Sequence, residues 1–124
     1  MSKTDLEQAQ RDFVAPWDQI YEEHTDYVIY NDRYPVTLDH LLFVPKYNTP
    51  YCIAKCFEAA YTHGESWLDE KVHNGYNIGF NRGPAAGQTV MYPHVHLIPR
   101  TNGDTEDPTG GVRNVIPGKG NYKK

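Results

Sequence analysis

The chain has 124 residues, with 12 lysines and arginines against 16 acidic side chains and a formal charge of −4. That length suits one domain, residues 1–124, able to bury roughly two thirds of its unfolded surface without covalent staples. No basic block stands out beyond the two terminal lysines, which argues against nucleic acid held along a basic stripe, and no apolar run or leader pattern points to a membrane; the expectation is a cytoplasmic protein.

Residues 1–16 are polar and charged and end in Ala15-Pro16, an N-terminal arm predicted to be a short helix or frayed, with no chemistry assigned. From Trp17 the pattern turns strand-like. Gln19-Ile20-Tyr21-Glu22 and Tyr27-Val28-Ile29-Tyr30 flank the polar Glu23-His24-Thr25-Asp26 and read as a hairpin, with His24 a solvated turn residue. His40 to Lys46 is a third strand, apolar enough to be buried on both faces near its middle.

Asn48-Thr49-Pro50 opens a long helix, Thr49 serving as N-cap and Pro50 at the first helical position, where its missing N–H does no harm. Ile53, Phe57, Ala60, Gly64, Trp67, Leu68 and Val72 recur at helical spacing as one amphipathic stripe. A glycine inside a helix costs on the order of 1 kcal/mol relative to alanine, so Gly64 marks either a break or a close approach to the sheet. Cys52 and Cys56, one turn apart, share a helix face and read as core or partly buried thiols rather than metal ligands. His63 and His73, near helix ends, read as exposed. Asn74-Gly75 makes a turn, Tyr76 to Asn81 a fourth strand, and Arg82 to Gly87 a loop of small residues.

The stretch Gly87-Gln88-Thr89-Val90-Met91-Tyr92-Pro93-His94-Val95-His96-Leu97-Ile98-Pro99-Arg100 organises the rest. Read as a strand, it sends Tyr92, His94 and His96 to one face and Met91, Pro93, Val95 and Leu97 to the other, one face chemical and the other core. Two imidazoles beside amide and hydroxyl donors suit an anionic group such as phosphate, one as nucleophile and one as donor. A His-x-His pair alone is as compatible with two satisfied surface or core histidines as with a site, and a metal pair is a lesser alternative. After Arg100 the composition becomes rich in Asn, Gly, Asp, Thr and Pro. The tail, 101–124, is either solvated, or docks through Val112, Val115 and Ile116 while Arg113 reaches an anionic ligand.

Gly-Gln-Thr-Val followed by alternating histidines and Leu-Ile-Pro-Arg resembles the signature of the histidine triad (HIT) family of nucleotide hydrolases and transferases. Asp32-Arg33-Tyr34-Pro35-Val36 through His40 to Lys46, and Tyr76 to Gly83, resemble other segments of that family. The likeness covers roughly residues 18–123, and the tail resembles a bacterial-type branch. In the family pattern three histidines alternate with apolar residues. Here the middle position falls on His94 and the third on His96, while Tyr92 stands at the first. Leu38-Asp39 replaces a common Pro-Gly turn, and Pro93 removes a ladder donor.

The resemblance implies an α+β fold, a five-stranded antiparallel sheet with one long helix and a short N-terminal helix, assembled as a homodimer. It implies attack by His94 on the α-phosphorus of a nucleoside phosphoramidate, dinucleoside polyphosphate or related nucleotide, through a nucleotidyl-histidine. By position, His96 donates to phosphate or leaving group, and Tyr92 and His40 support the triad. Asp32 accepts from ribose hydroxyls, while Asn81, Gln88 and Thr89 contact substrate. No cofactor is required, though a divalent metal could accompany the substrate phosphates. One alternative is a catalytically weak nucleotide-binding or interaction protein. Another is a metal site of His94, His96 and His40.

Overall fold

The computed structural model describes residues 3–123; Met1, Ser2 and Lys124, the ends of the expected arm and tail, lie outside the described residues. The expected N-terminal helix is present as α1 (Asp5–Arg11). Its start is fixed by a capping box in which the Thr4 hydroxyl accepts from the Glu7 N–H and the Glu7 carboxylate accepts from the Thr4 N–H. The hairpin is β1 (Ile20–Glu23) and β2 (Tyr27–Asn31), followed by β3 (Leu41–Pro45), the long helix α2 (Pro50–Asp69), β4 (Gly75–Phe80) and β5 (Val95–Arg100). All strand pairs are antiparallel, in the order β1-β2-β3-β5-β4, so the predicted five-stranded α+β architecture with two helices is the observed one.

Both faces of this sheet carry a core. On one, Ile29, Leu41, Phe43, Val95 and Leu97 pack beneath Cys56, Ala60 and Trp67 of α2. On the other, Val28, Tyr30, Leu42, Val44 and Tyr92 are covered by Leu6 and Ala9 of α1 and by Ala15. Every residue of β3 is buried, as its unbroken apolar run predicts, and each large side chain there contributes on the order of 2 kcal/mol by leaving water. The expected division into a chemical and a core face is therefore corrected: His94 and His96 share their face with a second apolar cluster. Met91, expected on the core side, is exposed.

Thr49 caps α2 as read from the sequence, its hydroxyl accepting from the Cys52 N–H at 3.2 Å. The buried stripe is Cys52, Cys56, Ala60, Gly64 and Trp67, displaced by one residue at its start from the predicted Ile53 and Phe57. Small side chains let the helix lie close to the sheet. Phe57 instead packs at the rim against Phe80, ring centroids 5.7 Å apart, and Val72 lies beyond the helix end. Gly64 is a close approach, not a break: a Cβ there would stand 2.8 Å from the ring of Tyr76. Both cysteines are buried free thiols, and burial, then Cys52 and Asp26, pushes the Cys56 thiol up to about 12.

Two further expectations change. His63 is half-buried, its ring against Tyr21, Phe43 and Trp67. His73 packs on Trp67 and bonds Asp39 at 3.1 Å, so neither histidine is simply exposed. The tail folds on itself, with a short 3-10 helix (Gly111–Val115) beside β4; Val112, Val115 and Ile116 face solvent, and Arg113 donates to the Gly120 carbonyl at 3.2 Å. Its guanidinium lies over Tyr122 and so is not turned towards the histidines.

Candidate functional site

The stretch from Gly87 to Arg100 is only partly a strand. Residues 87–94 form a loop, and the ladder begins at Val95, which pairs with Phe43 and Phe80. Pro93 lacks the N–H that a strand would use, and a different device orders the segment. Gln88 is buried; its Oε1 accepts from the Gly83 N–H at 2.8 Å, and its Nε2 donates to the carbonyls of Val90 and Met91 at 3.1 and 3.2 Å. Gly83 and Gly87, with φ of +92° and +89°, supply the left-handed positions that bracket a short 3-10 helix, Pro84–Ala86. Both amide hydrogens of Gln88, expected as a phosphate contact, are committed to the loop here. Thr89, beside it, is exposed and lines the adjoining cavity.

That cavity has a volume of about 380 Å³. One wall is Asn81, Gln88, Thr89, Val90, His94 and His96; the other is Trp17, Asp18, Asn31, Asp32 and Leu42, with Arg33 and Tyr34 at the rim. The structure thus brings together His94, His96, Asp32, Asn81 and Thr89, spread over three separate segments. His40 sits directly behind them.

Hydrogen bonds fix the proton positions. His94 Nδ1 lies 2.9 Å from the Tyr92 carbonyl. A carbonyl only accepts, so Nδ1 carries the proton and the neutral ring keeps its lone pair on Nε2. Nε2 has no protein partner among the described residues and is not sealed from solvent. His40 is the converse case. Its Nδ1 accepts from the Val36 N–H at 3.2 Å, so the neutral ring carries its proton on Nε2, 3.0 Å from His96 Nδ1 and 3.4 Å from the Asp32 carboxylate. His96, accepting at Nδ1, is left with an Nε2–H donor.

Burial, the largest cause in each case, lowers the proton affinity of all three rings. Burial alone works against charge on His40, with Asp32 partly opposing it. His94 is lowered despite its bond to Tyr92 and the pull of Asp32. His96 falls to about 4, because a positive charge there would also face His94 and His40. The rings are therefore neutral at neutral pH, and a neutral imidazole is the form that attacks phosphorus.

Tyr92 is held elsewhere. Its side chain is buried in the apolar cluster and its hydroxyl donates to the Pro45 carbonyl at 2.7 Å, while burial raises its pKa. The side chain expected to support the triad is thus tied to a backbone carbonyl away from the cavity, and the residue meets His94 through its own backbone carbonyl.

Asp32, His40 and His96 each place one ligand atom within 4.8 Å of the others, so the group that could hold a metal contains Asp32 rather than the predicted His94. A metal on His40 Nε2 would need the proton on Nδ1, pointing at the Val36 N–H that now donates there. As arranged, the trio is a hydrogen-bond relay and does not fit a metal without turning the 36–40 loop.

Several residues escaped the sequence reading. Trp17 is the foremost: its indole centroid lies 4.8 Å from the His94 ring. An aromatic residue directly after Ala15-Pro16, in an otherwise polar arm, was the available signal. Asp18 also lines the cavity without a motif to mark it, while Arg33 and Leu42 lie within the family-like segments but were given no role.

Among known proteins, the HIT domain family matches residues 13–103. An uncharacterised HIT-like protein of Mycobacterium tuberculosis is 32% identical over 97 residues, covering 73% of this chain and 67% of the relative. A zinc-bound histidine triad family protein from Mycobacterium smegmatis superposes with a TM-score of 0.65 at 31% identity, covering 80% of this chain and 76% of the other. A histidine triad nucleotide-binding protein from Candida albicans gives a TM-score of 0.56 at 25% identity, covering 67% and 66%. Fold, cavity and sequence agree: the chain belongs to the HIT domain family.

Proposed function

We propose that this protein is a nucleotide hydrolase or nucleotidyl transferase that attacks the α-phosphate of a nucleoside phosphoramidate, dinucleoside polyphosphate or related nucleotide. The observation that carries the reading is the tautomer of His94: with Nδ1–H on the Tyr92 carbonyl, the lone pair of Nε2 is free at the cavity. In this reading Nε2 forms a bond to phosphorus as the leaving group departs, and His96 Nε2–H donates to a non-bridging or leaving oxygen. Water then displaces the histidine. Thr89 and Asn81 line the phosphate side and Asp32 the ribose side. Asp32 already accepts from the Tyr34 N–H at 2.8 Å, which orients the carboxylate. Tyr92 stands at the first histidine position of the family pattern, in a bacterial-type branch.

The M. smegmatis relative is zinc-bound, but the proton held on His40 Nε2 here disfavours a metal on Asp32, His40 and His96, and no step is routed through one. Intact mass after brief exposure to adenylated and guanylated compounds tests the reading. The expected result is one nucleotidyl group added and then lost on incubation. Binding without any adduct across the panel would leave a nucleotide-binding protein instead.

A cytoplasmic homodimer completes the proposal. Among the described residues no helix is long and apolar enough to cross a membrane. β4 is an edge strand with every residue half-buried, and beside it α2 leaves Phe57 and Tyr61 exposed. An unpaired edge flanked by aromatics is a surface that invites self-association. Light scattering at micromolar concentration should give about twice the monomer mass; a monomer throughout sinks this part.

A further inference from the structure

The nucleophile's orientation needs more than one hydrogen bond. A ring tied only through Nδ1 can still pivot about that bond, sweeping Nε2 away from the in-line position that attack on phosphorus requires. Two rings bracket His94: His96 lies edge-on at 5.1 Å, and the indole of Trp17 lies tilted at 4.8 Å. Trp17 is itself fixed, packed on Tyr30 and Tyr92 at 6.2 and 6.4 Å between centroids, with its carbonyl accepting from Gln10 of α1 at 3.5 Å. We propose that Trp17 is a positioning residue for His94, its indole pressing the imidazole against the Tyr92 carbonyl so that Nε2 stays aimed into the cavity.

The proposal rests on His94 being the nucleophile, and it gives the N-terminal segment a part in the chemistry. The indole also excludes water from the imidazole, which supports the lowered proton affinity described above. The other groups facing His94 are Asp32 from the end of β2, His96 from β5 with His40 behind it, and the Tyr92 carbonyl. Asp18 and Arg33 pair at 2.8 Å on the rim. None of these changes charge when Trp17 is replaced.

Wild type, Trp17→Phe and Trp17→Ala should be compared in two ways. The first, an NMR titration of the His94 imidazole, needs no substrate. Trp17→Ala should move its midpoint upward by about one pH unit as water reaches the ring, and Trp17→Phe should restore most of the difference. The second is the rate of nucleotidyl transfer. Trp17→Ala should lower the maximal rate about tenfold or more, with KM changed less than about threefold, and carry the acid limb of the profile upward with the NMR midpoint. Trp17→Leu, which keeps apolar bulk but no flat ring, gives the same comparison if the alanine variant does not fold. A midpoint unmoved in every variant, or a loss confined to KM or to melting temperature, overturns the role. Inertness of wild type towards all nucleotides would sink the reaction proposed above, while the titration still decides whether Trp17 governs His94.

Discussion

His94→Ala should abolish turnover while leaving nucleotide binding largely intact. The covalent step needs a nucleophile, and no other side chain at the cavity offers one with its lone pair set free as His94 does. His96 spends Nδ1 on His40, and the Tyr92 hydroxyl is spent on Pro45. Loss of a covalent nucleophile costs on the order of a thousandfold or more in rate. The walls that would grip the nucleotide, Asp32, Asn81 and Thr89, remain. Single-turnover kinetics with calorimetric binding on the same preparation checks both halves. A variant within about tenfold of the wild-type rate would overturn the nucleophile assignment, and a variant that no longer binds would make His94 a gripping residue instead.

The largest expected stability effect lies far from the chemistry. Gly64→Ala would ordinarily stabilise a helix by about 1 kcal/mol. Here the added Cβ meets three ring carbons of Tyr76 at 2.8 Å, and one of them is Cγ, close to the β4 backbone, so the ring cannot simply swing aside. Its hydroxyl is further held by a 2.7 Å bond to Glu65. Overpacking of this kind costs about 1–3 kcal/mol, so the net effect is destabilising, and Gly64→Val should be worse by about 1 kcal/mol or more. The melting temperature should fall by roughly 5–10 °C for Gly64→Val. Pairing each change with Tyr76→Ala should recover much of the loss, since the two residues are in contact. A Gly64→Ala protein as stable as wild type would show that the helix can lift off the sheet at little cost.

The fold was legible wherever local chemistry and burial agree. Thr49-Pro50 announced α2, the unbroken apolar run announced β3, and Gly64 carried the choice that the Tyr76 ring then decided. The helix stripe was misplaced because hydrophobicity favours Ile53 and Phe57, whereas close packing favours Cys52, Cys56 and Ala60. The 87–94 segment kept the alternation of a strand without its ladder. No pattern in composition reveals that Gln88 reaches back to Gly83, or that His40 meets His96 across 56 positions. Trp17 belongs to the same class: its meaning depends on the fold of α1 and β2 around it.

Gln88 has one more effect, on the thermodynamics of ligand entry. A single side chain knits together residues 83–91, a segment that sheet bonding leaves untouched over residues 87–94. Ordering a loop of that length costs backbone entropy on the order of 1 kcal/mol per residue, and here the cost is met once, when the chain folds. In the proposed reaction, a nucleotide arriving at Thr89 would find its polar edge already rigid, so little of its affinity would be consumed in freezing the receptor. Association should accordingly be fast and insensitive to loop motion, with the entropy of binding set by the ligand and its released water rather than by the protein.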